Sequence, residues 1–408
     1  FKQKTAYEIS LGLVGSEMCI RDRFTSLGVD IAWEGTVVTV RSDGRANLNH
    51  HEEATLTIDC GNSGTTLRLL CGILSASAFD SFLDGDNSLR TRPMGRVADP
   101  LRRMGASIHF QENSDCAPLR VNGRKGTLHG LTYESPVASA QVKSAILLAG
   151  LYAKGTTTVI EPARSRDHTE RLLPRFGAAV RVEDCVVSVK GGTDLHACDV
   201  HVPGDFSSAA FFIAAALLLP GSRLCIRDVG LNPTRTGVLD IFRAMGAKIK
   251  TENERFVEGE PLADILVEHS SLKGISINGE TVLRAIDEIP IVAVVMALAE
   301  GQSVIQGARE LRAKESDRIK ALAEALGLLG VQVTELPDGL LIKGRTELKG
   351  GRIRSLGDHR IAMAFSVAGV ASSEGVEIEQ PECVLSLIHI SEPTRPRLIS
   401  YAVFCLKK

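Results

Sequence analysis

Five times along the chain a bulky apolar residue, a glycine and a small apolar residue follow one another: Leu27-Gly28-Val29, Met104-Gly105-Ala106, Phe176-Gly177-Ala178, Met245-Gly246-Ala247 and Leu329-Gly330-Val331. By subtraction the glycines are 77, 72, 69 and 84 residues apart. That period is too long for a solenoid unit and suits a repeated βαβαββ module. A second signal recurs in phase. Gly61-Asn62-Ser63-Gly64, Ala138-Ser139-Ala140-Gln141, Gly204-Asp205-Phe206-Ser207, Asp287-Glu288-Ile289-Pro290 and Gly357-Asp358-His359-Arg360 each open a dozen or so small and apolar residues. Ala138 to Leu151 is the clearest case, polar in its first turns and apolar behind. It reads as a helix with a buried body and an open amino end. Free N–H groups and the positive end of the dipole suit such an end to anions.

A chain of 408 residues should form more than one domain and bury sizeable cores. Aromatics are only 4% and glycine contributes 38 residues, which favours helices packed closely on sheets. The net charge of −2 gives no general pull toward nucleic acid or an acidic membrane surface. The nine cysteines contain no CxxC pair, so neither a disulfide framework nor a zinc site is expected, and a reducing cytoplasm fits. The apolar run Phe211 to Pro220 is about half of what a bilayer crossing needs. His50-His51 has no third ligand spaced near it and reads as surface. No metal or organic cofactor is expected, and the protein reads as a monomer.

Both ends look foreign. Leu13 to Arg23 and Leu385 to Arg395 can be encoded by opposite strands of one DNA segment, as a sequencing adapter read through at each end would be. Residues 1–23 and 385–408 are therefore set aside as non-native. The expected domains are 24–202 and 203–384, with the Pro- and Gly-punctuated His201 to Asp205 as the crossing. Between them the pattern predicts an α/β fold of two similar domains. Hairpins are expected at Asp30–Arg41, Ile108–Val121 and Ala179–Val189, and helices at Asp167–Phe176, Arg235–Met245, Ser316–Leu329 and Arg360–Ala371.

Residues suited to chemistry gather where the helices begin. Arg90-Thr91-Arg92-Pro93-Met94-Gly95-Arg96 places guanidinium groups in a constrained loop, and Arg309 to Arg318 is dense in charge. Arginine captures phosphate and carboxylate with two parallel bonds, and lysine adds a mobile point charge. Asp287 and Glu315 are carboxylates set among cations, as a general base or acid would be. Each signal alone has a plain structural reading. The charge run is a solvated helix start, the Arg-Pro-Met-Gly stretch a loop, and Asp358 a helix cap before surface charge. Their equivalent places in repeated modules favour the functional reading.

Taken together, Gly61-Asn-Ser-Gly-Thr65, Arg92-Pro-Met-Gly95, Ala138-Ser-Ala-Gln-Val-Lys-Ser144, Ser165-Arg-Asp-His-Thr-Glu170, Lys314-Glu-Ser-Asp-Arg318 and Asp358-His-Arg-Ile-Ala-Met363 resemble the enolpyruvyl transferases. Within them the match is to the 5-enolpyruvylshikimate-3-phosphate (EPSP) synthases of class II, over essentially all of 24–384. The resemblance implies two domains of three βαβαββ modules each, closing on ligand. It implies a glyphosate-targeted reaction, transfer of the enolpyruvyl group of phosphoenolpyruvate to the 5-hydroxyl of shikimate 3-phosphate. Ser139, Ala140, Gln141, Arg166, Asp287 and Lys314 are then the ligands of shikimate 3-phosphate. Gly64, Arg92, Gln141, Arg318 and Arg360 hold phosphoenolpyruvate, while Asp287 and Glu315 move protons. The family's early Pro-Gly-x-Lys-Ser segment and its final helix have no match here, so the polypeptide as written is expected to fold in part and to be an incomplete catalyst. Two rivals stay open. A UDP-N-acetylglucosamine enolpyruvyl transferase carries a reactive cysteine in the loop that here reads Arg90–Arg96 and lacks the Asp-His-Arg-Ile-Ala-Met pattern. A non-catalytic anion-binding scaffold on the same fold is the other.

Overall fold

The computed structural model describes residues 21, 23–34, 36–42, 55–111, 114–123, 128–345 and 347–384. The His50-His51 pair and nearly all of the two foreign-looking ends lie outside them. The described residues form two compact units that divide between Val200 and His201.

In the amino-terminal unit a hairpin of β1 (Asp30–Glu34) and β2 (Val37–Arg41) comes first. The next module runs β3 (Leu56–Asp59), α1 (Gly64–Leu74), β4 (Ser81–Asp84), α2 (Gly95–Arg103), β5 (Ser107–Phe110) and β6 (Leu119–Asn122). Another follows as β7 (Thr132–Glu134), α3 (Ala140–Gly150), β8 (Thr156–Ile160), α4 (His168–Leu172), β9 (Val180–Glu183) and β10 (Val186–Lys190). Their strand orders correspond, β3-β4-β6-β5 and β7-β8-β10-β9. The first two strands of each are parallel, joined by the crossover helix that parallel pairing requires, and the rest are antiparallel.

The carboxy-terminal unit repeats the scheme. It begins with α5 (Phe206–Leu218), β11 (Arg223–Gly230), α6 (Gly237–Ala244), β12 (Lys248–Val257) and β13 (Glu260–Glu268), ordered β11-β13-β12. Gly204 bridges in parallel to Val229 where the other modules have a first strand. Then come β14 (Ser276–Ile277), α7 (Gly279–Arg284), α8 (Ile289–Ala297), β15 (Gln302–Ile305), α9 (Arg318–Leu328), β16 (Gln332–Leu336) and β17 (Gly339–Lys343), ordered β14-β15-β17-β16. A parallel pair, β18 (Gly351–Arg354) and β19 (Val376–Glu379), brackets α10 (His359–Ala371). The expected α/β architecture of repeated βαβαββ modules is the one observed.

The phase-marking glycines have one job. Gly28, Gly105, Gly177, Gly246 and Gly330 have φ of 85, 104, 87, 98 and 82°, each just past a helix and before a strand. Left-handed backbone there is open to glycine at little cost, and it turns the chain sharply out of the helix. Behind them the crossover helices form the cores. Every residue of α8 is buried, which its wholly apolar sequence requires, since it has no polar face to give to water. In the other unit α1 lies so close on α3 that a Cβ at Gly72 would collide with the Ala145 carbonyl oxygen.

Where structure and expectation differ, the causes are local. The stretch Asp167–Phe176 is not one helix: α4 ends at Leu172, and a 3-10 turn, Leu173–Phe176, holds Pro174, which has no N–H to continue the helix. The helix expected from Ser316 starts at Arg318 because Asp317 caps it, accepting from Lys320 N–H at 3.1 Å. Among the described residues no helix is long and apolar enough to cross a membrane.

Candidate functional site

In the amino-terminal unit the site starts at Gly64, the first residue of α1. Ser63 caps the helix, its hydroxyl accepting from Thr66 N–H at 3.2 Å. A Cβ on Gly64 would stand 3.0 Å from Arg68 Nη1 and 3.2 Å from Arg92 Nη1, so two guanidinium groups flank bare backbone. Arg68 Nη1 donates to Gln141 Oε1 at 2.5 Å, and Gln141 Nε2 donates to Thr65 Oγ1 at 2.6 Å. Arg92 Nη2 donates to Asn62 Oδ1 at 2.5 Å and to Ser88 Oγ at 3.3 Å. Gly64, Arg92 and Gln141 are thus brought together. Arg68 links them, and its place one helical turn after Gly64 is the signal for it in the sequence.

Ser139 is the N-cap of α3, with extended backbone and no side-chain capping bond, and Ala140 is the first helical residue. The Ser139 N–H donates instead to Glu161 Oε1 at 3.0 Å. Arg166 stands in the loop from β8 to α4, next to Ser165, whose hydroxyl donates to Glu161 Oε2 at 2.9 Å. One carboxylate therefore touches both segments assigned to shikimate phosphate.

In the carboxy-terminal unit Asp287, Lys314, Glu315, Arg318 and Arg360 form a single cluster. Lys314 Nζ lies 3.2 Å from Asp287 Oδ1, and Arg318 Nη1 lies 3.8 Å from the same oxygen. Arg318 Nη2 donates to Glu315 Oε2 at 2.6 Å. Arg360 Nη1 donates to the Asp287 carbonyl at 2.9 Å and to Glu288 Oε1 at 3.3 Å. Glu288 is itself buried and accepts from Ser207 Oγ at 2.5 Å, and Arg235 Nη2 lies 2.8 Å from that hydroxyl. Asp358 braces the cluster from below through Arg318. Burial works against the Arg318 charge, but Asp358 and Glu315 outweigh it and keep the guanidinium firmly protonated. Burial alone would likewise raise the Asp358 carboxyl, and the Arg318 charge and hydrogen bonds hold it below the usual carboxylate range. Asp358, read from sequence as a helix cap, does cap α10 and also holds Arg318. Glu288, Ser207 and Arg235 carry no role assigned from sequence, since nothing near them in the chain marks their partners.

The charge run Arg309 to Arg318 is not a solvated helix start. It folds as a 3-10 turn, Arg309–Ala313, with Arg312 bonded to Asp317 and Glu335 at 2.8 Å each. Each unit thus presents guanidinium groups held rigidly by acids and amides, the arrangement that receives phosphate and carboxylate anions at fixed angles.

Such modules, with arginines at the helix starts, define an enolpyruvyl-transferase fold. The chain superposes on the enolpyruvyl transferase NikO from Streptomyces tendae with a TM-score of 0.72 at 17% identity, covering 91% of this chain and 83% of that one. With an EPSP synthase from Acinetobacter baumannii the TM-score is 0.79 at 44% identity, covering 92% and 85%. The family model EPSP synthase (3-phosphoshikimate 1-carboxyvinyltransferase) matches residues 20–386. A 3-phosphoshikimate 1-carboxyvinyltransferase of Geobacter sulfurreducens is 52% identical over 363 residues, 89% of this chain and 83% of that protein. One of Pelobacter propionicus is 53% identical over 361 residues, 88% and 83%. The chain belongs to the EPSP synthase family.

Proposed function

We infer that the chain is built for the reaction named for its family, performed slowly where the unmatched first segment and final helix leave its site incomplete: the 5-hydroxyl of shikimate 3-phosphate adds across the double bond of phosphoenolpyruvate, and phosphate leaves. The acceptor oxygen bonds to C2 of the donor while C3 gains a proton, giving a tetrahedral intermediate. Loss of a C3 proton then expels phosphate and leaves the enol ether. Asp287 takes the hydroxyl proton and Glu315 serves the proton traffic at C3. Ser139, Ala140, Gln141, Arg166 and Lys314 receive shikimate phosphate. Gly64, Arg92, Gln141, Arg318 and Arg360 receive the donor, whose anionic groups suit the arginine forks. Fixed cations that orient two anions and meet charge as it develops supply much of the rate.

The observation that supports this most is the surroundings of Asp287, a carboxylate held between Lys314 Nζ at 3.2 Å and Arg318 Nη1 at 3.8 Å. An acid placed among cations beside Glu315 suits proton transfer, and it favours a catalytic site over a scaffold that only binds anions. Calorimetric titration tests the reading: shikimate 3-phosphate should bind, and phosphoenolpyruvate should bind more tightly once it has. Binding of UDP-N-acetylglucosamine in place of shikimate 3-phosphate, or of neither acceptor, would contradict it.

A further inference from the structure

Lys143 lies in the first turn of α3, the end of a helix where a cation is least favoured, and its side chain is 1% exposed. Two carboxylates meet it: Glu161 Oε2 at 2.7 Å and Glu170 Oε1 at 2.6 Å, 2% and 3% exposed. No step of the proposed transfer uses any of the three. Stability alone is a weak reason for such a group, because well-packed apolar residues of similar volume often serve as well or better.

The hydrogen bonds around the triad supply another reason. Glu161 follows β8 directly and accepts from Ser139 N–H at 3.0 Å and Ser165 Oγ at 2.9 Å. Glu170 sits on α4, whose N-cap Asp167 accepts from Arg164 Nη2 at 2.8 Å and Arg171 Nε at 2.9 Å. Lys143 ties these to α3. Three separately built pieces meet on one ammonium: the open end of α3, the end of β8 and α4, with the 161–167 loop that carries Arg166 running between the last two. Burial pushes the Glu170 carboxyl above its ordinary value, with Lys143 opposing. Its Oε2 has no hydrogen-bond partner among the described residues.

We propose that Lys143, Glu161 and Glu170 are positioning residues for the acceptor's phosphate, holding Ser139 and the Ser165-Arg166 loop at the separation a phosphate dianion requires. The inference rests on Ser139, Gln141 and Arg166 being the acceptor-phosphate ligands. Small misplacement of such ligands is expensive, on the order of 100-fold for about 1 Å.

The test pairs calorimetric titration of shikimate 3-phosphate with amide hydrogen exchange on the same chains. Glu161→Gln offers the Ser139 N–H only a neutral acceptor. It should weaken acceptor binding by roughly 10- to 100-fold and speed exchange at residues 139–143 and 162–167. Lys143→Met strands two buried acids and is expected to impair folding. The triple variant Lys143→Met/Glu161→Gln/Glu170→Gln leaves no charge within the triad, so its melting temperature should recover while acceptor binding stays weak. Parent-like affinity in that folded triple variant would make the triad merely structural and overturn the proposal. So would unchanged exchange in Glu161→Gln. A parent chain that fails to bind shikimate 3-phosphate would remove the ligand assignment itself, and the exchange comparison would still decide whether the triad sets the spacing.

Discussion

Arg318 and Asp358 form a two-pronged pair with almost no water around it: Nε donates to Oδ2 at 2.7 Å and Nη2 to Oδ1 at 3.2 Å, the side chains being 1% and 0% exposed. The same Oδ1 accepts from Arg360 N–H at 2.9 Å at the start of α10. One carboxylate therefore fixes the first residue of α9 and caps α10, setting where the two arginines proposed for the donor begin.

Removing that acid should be costly. Asp358→Ala leaves a buried guanidinium short of its main partner and is expected to destabilise the chain by about 3 kcal/mol or more. Asp358→Asn keeps an acceptor for the cap and should cost less. Urea unfolding at neutral pH measures both, and a loss under about 1 kcal/mol for the alanine variant would mean the pair carries little.

Acid should weaken the same corner in two stages. Burial and the neighbouring Arg360 push the His359 imidazole down from 6.5 to about 4, with Arg318 acting in the same sense and Asp358 and Glu315 opposing. A depressed histidine means the unfolded chain binds the proton more readily. Its contribution is complete above 6.5, declines as pH falls toward 4, and levels off below. Asp358 is a depressed carboxylate, so its contribution fades only at still lower pH, as pH drops through its folded value. Unfolding free energies measured from neutral to acid pH should show the first decline, and His359→Gln should flatten it. An unchanged slope in the variant would assign the decline to other groups.

Much of this was legible in the sequence, and the reasons for the rest are physical. Glycines such as Gly105 and Gly246 announced the module period because their left-handed backbone excludes most other residues. The apolar body of α8 announced a buried helix in the same way. The first strands β7, β14 and β18 went unread: Ser276–Ile277 is two residues long and has no alternation to detect. The motif positions Arg92 and Arg318 stood out by their neighbours. Arg68, Glu161 and Glu288 did not, because their roles depend on partners 73, 22 and 81 residues away in the chain.

Gly64 should tolerate a methyl group structurally but not functionally. In Gly64→Ala the new Cβ presses on the flexible ends of Arg68 and Arg92, 3.0 and 3.2 Å away, so the fold should survive. The displaced guanidinium groups should weaken phosphoenolpyruvate binding by about tenfold or more, with shikimate 3-phosphate affected little. Titration of each ligand would show it, and equal losses for both would count against the donor assignment.

Asp287→Asn keeps size and removes the base. Turnover should fall by roughly 10²- to 10⁴-fold while shikimate 3-phosphate still binds. Near-parental turnover would rule out the assigned role.

The most direct measurement follows the new bond itself. The chain, in stoichiometric amount, is incubated with phosphoenolpyruvate and shikimate 3-phosphate, and the acceptor is recovered and analysed by mass spectrometry and ³¹P NMR. The account predicts an enolpyruvyl ether on the 5-hydroxyl and one phosphate released for each ether formed. Recovery of unmodified shikimate 3-phosphate, or phosphate released without an ether, would contradict it.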